Sequence, residues 1–569
     1  MSARGEGWGL RAGVIVVLGV GVIGPIAAGL AQTARAAFGV MPAIGATEPG
    51  FAAFAALFAV PGLGSAVRLT LVTGLGATAL SVIVALGALP ALHGRLSRGR
   101  AARWLTPFLA TPHAALAIGL AFVLAPSGWI ARAVAPFAGF DRPPDIALVG
   151  DPWGIALILG LMVKEVPFLL LVGLAALTQI PLTRHLATAR ALGYPPAAAW
   201  LKVVAPQLWP MLRLPVMVVM AYALSTVDMA LILGPSTPPV LAVLLARAFF
   251  APDTAMLLPA SAGALLQGAL VAGALGALWL IERVLARLGR AWLRRGGRGH
   301  GIDGLFALGR FVALVLAAIG GLAILALLAW SFAWRWPWPA PLPESWSLRA
   351  WIGAGPGLAR AAGQTLAIAL STTVLSLALA VAWLEGEDRA RLGRAGWAEA
   401  LVYLPLLVPQ IAFLYGLNVL FLRLGLTGGV AAVIWAQALF VFPYVMIALS
   451  DPWRALDPAL IRAAAALGAG PWRRLVAIKL PVLIAPLLTA AAIGLAVSVA
   501  QYLPTLFMGA GRIATLTTEA VTLASASDRR VTGVYATLQA GMPLAAFAAA
   551  FVIPAVLHRN RRALRGGGV

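Results

Sequence analysis

The sequence predicts an all-α, polytopic membrane protein of about twelve transmembrane helices, arranged as two parallel six-helix repeats. Three observations predict it. Of 569 residues, 61% are hydrophobic and 11% charged, and mean hydropathy is +0.94. Soluble domains carry roughly 25% charged residues, so an ordinary soluble enzyme is excluded. Apolar stretches long enough to cross hydrocarbon recur along the whole chain. The later stretches then repeat landmarks of the earlier ones at nearly constant offsets. The chain has no cysteine, which excludes disulfides, zinc thiolates and thiolate-held iron–sulfur clusters.

The first six expected spans lie near 13–32, 69–92, 104–124, 153–177, 211–233 and 258–281. The second six lie near 311–333, 366–383, 401–421, 430–449, 483–507 and 534–557. Arg4 and Arg11 before the first span suggest a signal peptide, but no clear small-residue cleavage site follows, so a retained helix is expected. Net charge is +23, which in a soluble protein would suggest nucleic acid. With the N-terminus placed inside, 29 basic residues fall on inside segments and 12 on outside ones. That bias predicts both termini in the cytoplasm and explains the charge without nucleic acid. The Arg-rich stretch from Arg283 to Arg298 fits a linker along anionic headgroups. The expected units are therefore a first repeat over 1–282, a cytoplasmic basic linker over 283–310 and a second repeat over 311–569.

The repeat is read from matched residues. Thr70 and Ser81 match Thr365 and Ser376 at an offset of 295, and Pro112 and Gly119 match Pro409 and Gly416 at 297. Gly193, Pro206 and Gly234 match Gly468, Pro481 and Gly509 at 275. Six spans per half leave both copies in the same orientation, which implies a pseudo-twofold axis along the membrane normal.

The sharpest signal is one inside segment present twice, TRHLATARALGYPPAAAWLKVVAPQLWPML at 183–212 and DPALIRAAAALGAGPWRRLVAIKLPVLIAPLL at 457–488. Each is a small-residue helical run ending in Leu-Gly, then a short break, a basic amphipathic stretch and a proline. Gly193 and Gly468 suit a helix C-terminus, where positive φ is cheap for glycine. Small side chains at Ala189, Ala191, Ala463 and Ala464 let another surface approach closely. A short helix between two spans, carried twice with identical Gly-to-Pro spacing, reads as a docking knob.

This segment resembles the "EAA" coupling motif of binding-protein-dependent ABC importer permeases: Glu-Ala-Ala, three residues, Gly, then a later Leu-Pro. The equivalents here are Ala187-Thr188-Ala189 with Gly193, and Arg462-Ala463-Ala464 with Gly468. The usual glutamate is replaced by Ala187 and Arg462. The whole chain is similar to fused two-domain permeases of the ferric iron, thiamine and spermidine/putrescine type. Residues 517–547 and 331–346 resemble a thiamine-like fused subgroup most. The resemblance implies a type I ABC importer permease fold without a cofactor, coupled through Ala187, Ala189, Gly193, Pro206, Arg462, Ala463, Ala464, Gly468 and Pro481. It also implies a separate ATP-binding-cassette dimer inside and a solute-binding protein outside. The chain agrees that ATP hydrolysis lies elsewhere. It has no G-x-x-x-x-G-K-[ST] loop, and GAGPWRRL at 468–475 lacks the lysine followed by a hydroxyl.

Lys164 and Glu165 stand mid-span, where charges face protein or water and are paired. Adjacent helical residues point about 100° apart, so these two seek different partners. Roles in a structural pair and in the translocation path both remain open for them. The second half has Val441 opposite Glu165, which predicts an asymmetric path. Asp228 matches Leu503, beside Gln501 and Tyr502, in the spans that follow the coupling segments. Because the resemblance implies that these helices line the central path, Ser225, Asp228, Gln501 and Tyr502 are the candidate lining residues, with His113 and Gln410 as weaker ones. Five histidines are too scattered for a metal site. Outside, Trp330, Trp334, Trp336 and Trp346 suit an interface belt. Glu519, Asp528, Arg529 and Arg530 offer a charged docking loop.

The expected function is the permease subunit of an ATP-driven importer in a bacterial inner membrane. The competing reading is a proton-coupled secondary transporter using Lys164, Glu165 or Asp228. A membrane enzyme is disfavoured for want of a clustered set of catalytic side chains. Thiamine, a metal chelate, a polyamine and other small solutes all remain open as cargo.

Overall fold

The computed structural model describes residues 3–95, 98–298, 303–391, 394, 396–525, 528–557 and 559. Arg561, Arg562 and Arg565 of the basic tail and residues 299–302 of the linker lie outside them. Among the described residues, 10 helices are long and apolar enough to cross a membrane, and two bent pairs raise the number to 12. Among the described residues, strand is confined to a two-stranded ribbon, Ala333–Arg335 with Ser345–Trp346.

Four expected spans are interrupted. The stretch 104–124 divides into Arg98–Ala110 and His113–Leu124, and 401–421 into Gly396–Leu407 and Gln410–Arg423, the latter pair bent by 90°. Pro112 and Pro409 cause both breaks. Each lacks an N–H, forces the preceding residue out of the α region and caps the next helix from an extended conformation. The stretch 211–233 ends one helix at Ser225 and begins another at Asp228. Likewise 483–507 breaks between Ala500 and Leu503. In the membrane such irregular backbone survives only where protein or a wet cavity receives its polar groups. Here the freed carbonyls are received by side chains. Gln267 Nε2 donates to the Leu224 carbonyl at 2.6 Å. In the second half, Gln539 Nε2 donates to Thr517 Oγ1 at 2.6 Å, and that hydroxyl donates to the Val499 carbonyl.

The repeat is visible at atomic detail. Thr70 Oγ1 accepts the Leu241 N–H at 2.8 Å, and Thr365 Oγ1 accepts the Leu516 N–H at 2.8 Å. The halves also exchange their first spans. Helix Arg11–Ala37 packs on Arg349–Ala390 and Gln410–Arg423 of the second half, while Asp303–Phe332 packs on Leu63–Arg95 and His113–Leu124 of the first. The matched glycines Gly119 and Gly416 lie at these crossings. A β-carbon on Gly119 would collide with the Ala323 carbonyl, and one on Gly416 with the Gly29 carbonyl. Small residues at such crossings let helix backbones approach closely in lipid.

The linker is partly helical. Leu257–Arg294 continues the sixth span well past 282, and the next helix starts at Asp303.

Candidate translocation cavity and coupling segments

The two interrupted helices meet. Their breaks, at Ser225–Asp228 and Ala500–Leu503, face a single cavity of about 120 Å³ between the halves. The structure brings Ser225, Asp228, Gln501 and Tyr502 together there, with His113 and Gln410 beside them. Thr226 Oγ1 donates to Asp228 Oδ1 at 3.0 Å, and the Tyr222 hydroxyl approaches the same oxygen at 3.4 Å. The His113 and Tyr222 rings lie 4.5 Å apart. Across the cavity, Gln410 Nε2 donates to Gln501 Oε1 at 3.5 Å. Ser225 Oγ turns back to the Ala221 carbonyl at 2.6 Å, which leaves its lone pairs free.

Sequence reasoning missed Tyr222, Thr226, Phe440 and Tyr444, which also line the cavity. A usable signal was present. Phe440 and Tyr444 are one helical turn apart and share a face, and Tyr222 and Thr226 flank the helix end at Ser225.

Lys164 and Glu165 are absent from this lining. Lys164 Nζ donates to the carbonyls of Phe108, Leu109 and Thr111 at 2.8, 2.9 and 2.5 Å. It thereby caps the helix end freed by Pro112. Glu165 Oε2 accepts from Ser81 Oγ at 3.2 Å. In the second half Val441 replaces Glu165, and the buried Ser376 hydroxyl has no partner among the described residues.

The candidate coupling segments have matching backbones. Helices Leu182–Ala191 and Pro458–Ala466 end at Gly193 and Gly468, each with φ of +78°. Short helices Pro196–Ala199 and Pro471–Arg474 follow, then π-turns Trp200–Val204 and Leu475–Lys479. Pro206 and Pro481 stand one residue beyond the π-turns, after Ala205 and Leu480. Without an N–H they cannot close the ordinary i→i−4 bond, and the widened turn absorbs the loss.

The helices present a defined outer face. Ala187, Ala191, Arg462 and Ala463 are exposed, as are Gly193, Gly468, Pro206 and Pro481. Ala189 and Ala464 instead face the body of the protein, at 4% and 7% exposure. They set how closely each helix sits on its own chain. The prominent outward groups are Leu192 and Leu467, 62% and 88% exposed.

Each segment is held differently. In the second, Lys479 Nζ pairs with Glu385 at 2.6 Å and Asp388 at 2.5 Å, and Trp453 Nε1 donates to Asp388 at 3.0 Å. Arg454 joins Glu387 at 2.9 Å to Glu399 at 3.0 Å. In the first, the linker does the holding. Lys202 Nζ donates to the Gly297 carbonyl and lies 4.3 Å from the Trp292 ring centre, while Asp303 Oδ1 accepts the Ala197 N–H at 3.2 Å.

Elsewhere, Ser127, Arg132, Trp330, Trp334, Trp336 and the Asp528–Arg530 turn enclose a wider cleft of about 530 Å³. The indoles are stacked among guanidinium groups. Arg132 lies 5.1 Å from the Trp336 ring centre and donates to the carbonyls of Pro337 and Ala340 at 2.7 and 2.9 Å. Arg530 grips Asp528 through two hydrogen bonds of 3.0 Å and so holds its carboxyl below the usual aspartate range.

Residues 393–559 match the family model described as binding-protein-dependent transport system inner membrane component. The chain is also similar to the inner membrane ABC transporter permease protein YnjC of Escherichia coli (strain K12). The two are 30% identical over 519 residues, covering 90% of this chain and 92% of that protein. With its many apolar helices and this relationship along nearly its whole length, the chain belongs to the multi-pass inner membrane permeases of binding-protein-dependent ABC transporters.

Proposed function

We propose that this permease forms both halves of the path of an ATP-driven importer, and that it couples to a separate ATP-binding-cassette dimer through helices Leu182–Ala191 and Pro458–Ala466. The single observation that carries the coupling is their duplication. Two exposed helices end in glycines of identical φ and follow matched spans in parallel repeats, so they project from the same side. The positive-inside bias makes that side, and both termini, cytoplasmic. A solute-binding protein delivers cargo to the opposite side, where the cleft around Trp334 and Arg530 lies. Closure of the ATPase dimer pulls on the two helices, and the halves rock about the cavity between them to open it alternately outward and inward.

Leu467→Glu tests the coupling. It changes an exposed side chain, so folding is spared, but it places a charge where an apolar cleft must close. The variant should reach the membrane normally, lose the ATPase subunit on co-purification from native membranes and lose uptake. Leu192→Glu should act in the same direction. Normal association and uptake in both variants would refute the assignment.

A further inference from the structure

We propose that the cavity selects cargo bearing a protonated amine, and that this ammonium takes, in the second half, the place Lys164 fills in the first. The proposal rests on the cavity being the transport path, as read above.

The argument comes from a broken symmetry. In the first half the helix before Pro112 ends in three carbonyls, those of Phe108, Leu109 and Thr111, and all three bind the Lys164 ammonium. At an offset of 297 their counterparts are Pro405, Leu406 and Val408, at the helix end before Pro409. All three counterparts line the cavity. Among the described residues no donor reaches their carbonyls, and Pro409 has no N–H to offer. The counterpart of Lys164, at an offset of 276, is Phe440, which also lines the cavity. The proline-broken helix end is thus duplicated while its cation is not. Helix C-terminal carbonyls carry partial negative charge and attract cations.

A second observation points the same way. Asp228 is buried on the opposite wall, bonded to neutral hydroxyls of Thr226 and Tyr222, and makes no ion pair with a described residue. Acidic groups at membrane depth ordinarily meet a counter-charge. The remaining walls carry the rings of Tyr222, Phe440, Tyr444 and Tyr502, which accept a cation on their faces. A bare divalent ion is a poorer fit, because it demands a shell of oxygen ligands where rings stand.

The chain lacks cysteine, so a single thiol reports on the cavity. Ser225→Cys permease, full length and in lipid nanodiscs, is labelled with a small neutral thiol reagent in the presence of benzylammonium, benzyl alcohol or benzoate. These probes share a ring and differ in charge. Benzylammonium should protect at about tenfold lower concentration than the alcohol, the scale of charge-assisted hydrogen bonds, and benzoate should not protect. Adding Phe440→Lys restores the missing cation from the protein and should abolish protection by benzylammonium. Should that variant fail to assemble, Asp228→Asn replaces it and should weaken protection. Equal protection by alcohol and amine, better protection by benzoate, or unchanged protection in the second variant would overturn the proposal. Association with the ATPase would meanwhile still support the importer. A Ser225→Cys thiol that never reacts would overturn the path reading, and the cation inference with it.

Discussion

Gly416 crosses Gly29 so closely that a β-carbon on Gly416 would overlap the Gly29 carbonyl oxygen. Gly119 stands in the same relation to Ala323. Each contact joins the first span of one half to the third span of the other. Gly416→Ala or Gly119→Ala should therefore push apart elements of different halves, at about 1–3 kcal/mol each for overpacking. Thermal unfolding of the purified permease should shift down for both. Gly268→Ala, inside helix Leu257–Arg294, meets open space and is the control that should not shift down. An unshifted transition in both crossing variants would exclude the tight exchange.

Lys164 should behave as a structural group. Lys164→Met leaves three carbonyls without a donor in a buried helix end, a loss of several kcal/mol if none is rescued by water. The expected outcome is less folded permease in the membrane, while uptake per assembled complex is preserved. Full abundance with abolished uptake would instead return Lys164 to the transport path.

Orientation is checked by impermeant thiol labelling of intact cells on the cysteine-free background. Leu342→Cys, exposed in the loop that the charge bias predicts outside, should label, and Gly296→Cys in the linker should not. The reverse pattern would invert the topology and move the coupling helices to the wrong side.

The residues around the cavity were largely legible, because charge and polarity are rare enough in apolar spans to mark themselves. Asp228, Gln501 and Tyr502 stand out against their neighbours, and matched landmarks tied one half to the other. What escaped was set by tertiary packing. Hydropathy sums over 104–124 and 401–421 do not feel the proline within them, since a break between apolar residues costs nothing on such a scale. The partner of Lys164 is a set of backbone carbonyls, which every residue has and no side-chain pattern announces. The inward turn of Ala189 and Ala464 depends on the angle at which each short helix docks. The anchors of the two proposed coupling helices, Gly297 in one and Glu385 with Asp388 in the other, lie about 95 residues from the lysines they bind.

The exchange of first helices has a consequence for synthesis. Residues 11–37 leave the ribosome long before one surface they pack on, Gln410–Arg423, has been made. Until then this helix must wait in lipid with Gly29 uncovered, tolerable there because a bare glycine offends lipid far less than a water-seeking group would. The nascent first half cannot close on itself, since the helix that seals it, Asp303–Phe332, follows the linker. Maturation is therefore a late event, and premature termination before residue 423 leaves helix Arg11–Ala37 held by Leu257–Arg294 of its own half but without its Gln410–Arg423 partner.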